Sequence, residues 1–158
     1  MGLLSRYKKG KDKAEKFYQS IGSVKCPYFA AEVIFNSDGF HHLQFSAERE
    51  RAKPEQLLKF SLLPAVPHIL RNAGTIQEYR HTREPVGQKR FSDGAREMRE
   101  IEYWGIIAIT RGDKPIRIKI ILRRVGNGNV IFWSVMPTVK LKDGDSYLHL
   151  ASKDITEE

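Results

Sequence analysis

The side chains with chemical potential crowd into one segment. Between Arg111 and Arg124 the chain carries six cations (Arg111, Lys114, Arg117, Lys119, Arg123 and Arg124) against one acid, Asp113. Arg117, Lys119 and Arg123 alternate with Ile116, Ile118, Ile120 and Leu122. The two-residue period of a strand then sets the three cations in one row at about 7 Å per step, with Ile121 among them and the other aliphatics opposite. A row of like charges repels itself unless an anion faces it. Arginine offers a planar fork for phosphate oxygens and lysine a compact point charge. A polyanion is the expected ligand. The row is read as continuing into Arg124, with Arg111 and Lys114 widening the field. The plainer reading is a solvated outer sheet face.

Two further residue types bear on this chemistry. His41-His42 follows the segment Asn36-Ser37-Asp38-Gly39. On a strand the two rings point to opposite faces, His41 with Leu43 and Phe45, His42 with Phe40 and Gln44. His42 is expected to be the freer ring, able to move protons near neutrality. Ser134 sits one short turn away from Arg123 in sequence order, and a hydroxyl there could bind a phosphate oxygen. No Gly-x-Ser-x-Gly surrounds it, so a hydrolase nucleophile is not indicated. The five histidines show no metal-ligand spacing, Asp143-Gly-Asp145 matches only a fragment of a calcium loop, and no P-loop or dinucleotide fingerprint occurs. No cofactor is expected.

These residues need a scaffold, and 158 residues suit a single domain spanning 1–158. The net charge of +8 and an isoelectric point near 9.6 favour an anionic partner such as nucleic acid. Cys26 is the lone cysteine, which rules out an internal disulfide and a thiolate zinc site. Apolar runs are too short for a helical membrane span, and the opening residues carry no leader-like core, so a cytoplasmic setting is expected.

The patterning predicts an α+β fold, with N-terminal helical segments and a central helix packed on a twisted antiparallel sheet. A basic helix is expected over about 11–21, ended by Gly22. A hairpin is expected from strands 28–35 and 40–45, turning at Asn36-Ser37-Asp38-Gly39. An apolar helix follows over 54–73, bent near residue 63 by Pro64 and Pro67. Strands are expected over 75–82, 99–111, 115–125 and 129–137, the last two turning at Gly126-Asn127-Gly128. Arg83 to Ala95 reads as a polar loop, Tyr147–Leu150 as a short element, and 151–158 as a frayed tail. Trp104 and Trp133 read as core, with Tyr79 and Tyr103 somewhat more open.

A basic chain with helical material ahead of antiparallel strands, a conspicuous histidine, a cationic row and a hydroxyl resembles the barnase–EndoU–colicin–RelE group of metal-independent ribonucleases, common as phage or mobile-element toxins. The segments that carry the likeness are Gly39 to Phe45, Tyr103 to Ile109 and Lys119 to Pro137. The likeness is one of element order and residue type over about 28–138. It departs at the insertion 54–73 and in having no clear glutamate base. It implies cleavage by the RNA 2′-hydroxyl, with His42 as acid or base, Lys119 and Arg123 stabilising the phosphorane, and Ser134 beside them. Arg117, Arg124, Lys114 and Arg111 would bind RNA, tRNA or rRNA among the targets, and an acidic antitoxin or immunity protein would be a natural partner. The alternatives are a non-catalytic RNA- or DNA-binding module and an interaction protein with an acidic partner.

Overall fold

The computed structural model describes residues 2–87, 94–138 and 154–158. Along the chain run α1 (Leu3–Ile21), β1 (Ser23–Cys26), β2 (Ala31–Ile34), α2 (Ser37–Gln44), α3 (Lys53–Leu62), a 3-10 turn (Leu63–Ala65), α4 (Val66–Arg71), β3 (Glu78–Val86), β4 (Glu97–Ile109), β5 (Arg117–Val125) and β6 (Ile131–Pro137). The strands form one open sheet in the order β1-β2-β6-β5-β4-β3. β3 to β6 make an antiparallel meander, as the sequence predicts. The small β1–β2 hairpin joins it by a parallel contact, Ile34 beside Ile131, so the sheet is mixed. The fold is α+β.

Ile118, Ile120 and Leu122 of β5 turn to one face. There they pack with Tyr18 of α1, Phe40 and Leu43 of α2, Phe60 and Leu62 of α3, and Leu70 of α4. The helices pack on this face, and α2 and α3 also reach the edge of β6, where His42 stacks on Trp133 of the second face. Pro64 and Pro67, which lack an N–H for the helical ladder, coincide with the tightening into the 3-10 turn and the restart as α4. Gly22 caps α1 at φ 67°, but that helix begins eight residues earlier than predicted. Trp104 is core, as expected.

One local prediction fails. Phe40 to Phe45 is not the return strand of a hairpin, because Asn36-Ser37-Asp38-Gly39 starts a helix. The Asn36 side chain accepts the Gly39 N–H at 3.1 Å, and Asp38 sits in the positive first turn. Phe40, Leu43 and Gln44 then share the buried side at helical spacing. The same four residue types serve a tight turn or an N-cap, and packing against β6 decides between them.

The opposite sheet face is not left to solvent. Ile101, Tyr103, Ile121 and Met136 form a smaller cluster there, closed by Ile155. Residues 154–158 therefore lie against this face, and the frayed tail predicted from 151 is corrected over that stretch. The polar loop predicted from Arg83 starts later, since Arg83 to Val86 still pair with Glu97 to Glu100. Tyr147–Leu150, Asp143 and Asp145 lie outside the described residues. Between β5 and β6 the register slips: Ile121 faces Ser134 and Leu122 faces Phe132, leaving Trp133 as a bulged extra residue.

Candidate functional site

β2 pairs with β6 only at its start, so α2 and α3 flank the rest of that strand. Lys59 of α3 reaches it with a fully buried side chain. Its Nζ donates to the Val135 carbonyl at 3.2 Å, to Ser134 Oγ at 3.0 Å and to Glu158 Oε1. Ser134 Oγ in turn donates to the same carboxylate oxygen at 3.1 Å.

Arg51 enters from the short connection between α2 and α3, where its own N–H is tied to the Gln44 carbonyl at 2.8 Å. Gln56 fixes the next link, donating to the Arg51 carbonyl at 2.7 Å and accepting from Tyr7 of α1 at 2.6 Å. The Arg51 guanidinium is buried and fully used. Nε donates to the His42 carbonyl at 3.0 Å and Nη1 to Glu55 at 3.0 Å. Nη2 donates to His42 Nε2 at 3.2 Å and to the backbone carbonyl of Glu158. Glu158 Oε1 lies 3.4 Å from Nη1.

Trp133 completes the cluster. The His42 ring stacks on it at 4.0 Å between centroids and 17° between planes, and the Arg123 guanidinium carbon lies 4.2 Å from the indole centroid. The bulge matters here, because it brings Trp133 to the site face ahead of Ser134. Arg123 also lies 5.8 Å from the Tyr103 ring, whose hydroxyl donates to Glu84 at 3.0 Å. Among the described residues no carboxylate pairs with Arg123, and its buried Nε has no acceptor.

Burial pushes His42 down from its usual value, and the cations Arg51, Lys59 and Arg123 push the same way, to about 2. The imidazole is neutral at physiological pH. Because Arg51 holds Nε2, the ring proton belongs on Nδ1. Burial raises the Glu158 carboxyl, but Lys59 and Arg51 outweigh it and hold the group below the ordinary carboxylate range. The site is thus a set of cationic and hydroxyl donors closed around one ionised oxygen.

His42, Arg123 and Ser134, predicted as site residues, do meet here. The histidine assignment is reversed, however: His42 is buried and His41 exposed. The cause is the helix, whose period places His42 toward the sheet. Lys119 shares the second face with Arg123 but is buried in an ion pair with Glu78. Arg117 lies on that row at the exposed start of β5. Arg124 does not extend the row: it belongs to the other parity, beside Trp104, and is paired with Glu102. Arg111 and Lys114 line a groove of about 720 Å³ with His68, Asn72 and Thr75, at the far end of the sheet. Tyr103 is buried rather than open, while Tyr79 is exposed.

Arg51, Lys59 and Glu158 were not predicted. The signal for Lys59 is present: with Gln56, Phe60 and Leu62 it falls on the inner side of α3, where a lysine is out of place. Arg51 is hidden in the charged run 46–53, and nothing local marks Glu158. No protein-family model, curated protein or solved structure matches the chain.

Proposed function

We propose that the protein is a metal-independent endoribonuclease that cleaves RNA by attack of the 2′-hydroxyl on the adjacent phosphodiester. The observation that carries this reading is the convergence of Arg51, Lys59 and Ser134 on one buried anion, beside a neutral imidazole and an arginine with no carboxylate partner among the described residues, which share Trp133. The nucleophile belongs to the substrate, so the protein needs a proton acceptor and fixed positive charge. His42 Nε2 accepts the 2′-hydroxyl proton once Arg51 turns to the phosphate, whose charge offsets the cations that hold the ring low; the 2′-oxygen bonds to phosphorus, the P–O5′ bond breaks, and the 5′-oxygen leaves with a proton from water. Arg123 and Lys59 stabilise the dianionic phosphorane more than the monoanionic ground state, an effect worth about 3–4 kcal/mol per well-placed donor. Lys59 takes the part the sequence suggests for Lys119, which Glu78 already neutralises. A net charge of +8 suits tRNA or rRNA as substrate, an acidic antitoxin or immunity protein as partner, and a cytoplasmic setting fits the free, buried Cys26. No helix among the described residues is long and apolar enough to cross a membrane.

A non-catalytic RNA-binding module is the second reading. It is favoured by the engagement of His42 Nε2 with Arg51, which leaves no free base in the resting site.

The two readings separate in an EDTA assay on tRNA and rRNA with the wild type, Glu158→Ala, His42→Ala and Arg123→Ala. The ribonuclease reading expects cleavage by the first two, and loss of turnover greater than loss of binding in Arg123→Ala. Binding without cleavage in every variant selects the module.

A further inference from the structure

The site described above is already filled, and by the chain itself. Residues 154–158 lie against the second sheet face through Ile155, and Glu158, only 3% exposed, is buried where that face meets α2 and α3 along β6. Three donors converge on its Oε1, from Arg51, Lys59 and Ser134. The other oxygen, Oε2, is equally buried and receives no hydrogen bond among the described residues. Arg123, on the same face, has a buried Nε with no acceptor. The carboxylate therefore leaves its own Oε2 without a donor and does not supply the acceptor that Arg123 Nε lacks.

The rest of the segment is lightly held. Asp154 pairs with Arg80 at 3.0 Å, both side chains part-exposed, and Ile155 is the single buried apolar side chain of the segment. Thr156 is tied back to Asp154 within the turn at 3.0 Å, and Glu157 is exposed. Apart from Glu158, such contacts give a short segment little grip on the sheet.

We propose that Arg51, Lys59 and Ser134 form the binding site for a phosphodiester group of the nucleic acid, and that residues 154–158 close this site, with the Glu158 carboxylate in the phosphate position as a built-in competitor. The proposal rests on the nucleic-acid reading above and adds its resting state. Substrate must displace Glu158, so the apparent affinity is the intrinsic affinity scaled by the fraction of molecules with the segment lifted.

The test uses the full chain and does not require catalysis. A single-stranded DNA oligomer lacks the 2′-hydroxyl, so it reports binding alone. Its affinity is measured for the wild type, Glu158→Ala and Glu157→Ala, the last an equal charge change at an exposed neighbour. The proposal expects Glu158→Ala to bind about ten-fold tighter or more and Glu157→Ala to match the wild type. Inorganic phosphate, compared with chloride at equal ionic strength, is expected to raise the Tm of Glu158→Ala but not that of the wild type. Adding Lys59→Met should abolish the rise. If Glu158→Ala does not fold in chloride, recovery of folding in phosphate supports the proposal, and failure to recover leaves the decision to Ile155→Ala, which keeps the carboxylate but loosens its seat and should also bind DNA more tightly. Equal tightening by Glu157→Ala and Glu158→Ala, no tightening by either loosened variant, or a phosphate response that survives Lys59→Met overturns the proposal. Tight DNA and phosphate binding by Glu158→Ala without RNA cleavage keeps the closed anion site and rejects the ribonuclease.

Discussion

Lys59 is the residue on which the site turns. It is fully buried, and its Nζ meets a carbonyl, a hydroxyl and a carboxylate. Removing one partner of a buried ion pair strands the other, which costs about 3–5 kcal/mol, whereas replacing both with apolar groups of similar volume is often neutral. Denaturant unfolding of Lys59→Ala is expected to show that loss, and Lys59→Met combined with Glu158→Leu to recover most of it. A double variant as unstable as the single one would mean that the pair itself, rather than its completeness, stabilises the fold.

His42 carries the pH dependence at the same scale. Its value falls from 6.5 in the unfolded chain to about 2 in the fold. Between those limits the unfolded chain binds the extra proton. Stability is therefore complete above pH 6.5 and declines as pH falls, by about 1.4 kcal/mol per pH unit for this one group. Glu158, also held low, acts with the same sign in the ordinary carboxylate range. His42→Phe keeps an aromatic ring on Trp133 and removes the titration. Its stability should be flatter than that of the wild type just below pH 6.5. An unchanged slope between pH 6.5 and 5 would show that the imidazole is not held neutral.

At the scale of elements, the site depends on how closely α2 approaches β6. Gly39 makes that approach possible: a Cβ there would run into the Phe132 carbonyl oxygen and the Tyr18 hydroxyl. Neither can yield cheaply, since Phe132 is backbone in a central strand and the Tyr18 hydroxyl is tied to the Asn36 carbonyl at 2.5 Å. Gly39→Ala should cost about 1–3 kcal/mol, as overpacking does, and should shift His42 off Trp133. The two effects can be read from thermal unfolding and from Trp fluorescence. A fully stable variant with unchanged fluorescence would contradict the close packing.

Part of this arrangement is legible in the sequence. The meander is readable because Ile118, Ile120 and Leu122 alternate with charge and the turns are glycine-marked, and the break near residue 63 because proline removes a donor. Arg123 follows from strand parity, and Ser134 from the short turn that joins its strand to that of Arg123. The helix at Ser37–Gln44 does not, because Asn-Ser-Asp-Gly is equally good chemistry for a hairpin turn and for an N-cap. That one ambiguity reverses His41 and His42. Arg51 and Glu158 are brought to Lys59 by tertiary packing, and of the three only Lys59, on the inner side of α3, leaves a spacing in the sequence to read.

For the whole molecule, the +8 charge is distributed unevenly in its availability. Lys119 and Arg124 are neutralised by Glu78 and Glu102, whereas Arg117, Arg111 and Lys114 are exposed. RNA affinity should fall steeply between 50 and 200 mM salt, with a logarithmic slope of about −0.7 per phosphate neutralised on a single strand. Arg117→Ala should reduce the slope, and Lys119→Ala should leave it nearly unchanged. Flat salt dependence would remove the polyanion from the account.

The most direct test of the central claim is the identity of the product ends. Glu158→Ala, with its site open, is incubated in EDTA with an RNA oligomer and with the same sequence made of 2′-deoxy sugars, and the products are analysed by mass spectrometry. Both oligomers are expected to bind, only the RNA to be cut, and the upstream fragment to end in a 2′,3′-cyclic phosphate. Cleavage of the 2′-deoxy oligomer, or RNA that is bound and recovered intact, would contradict that claim.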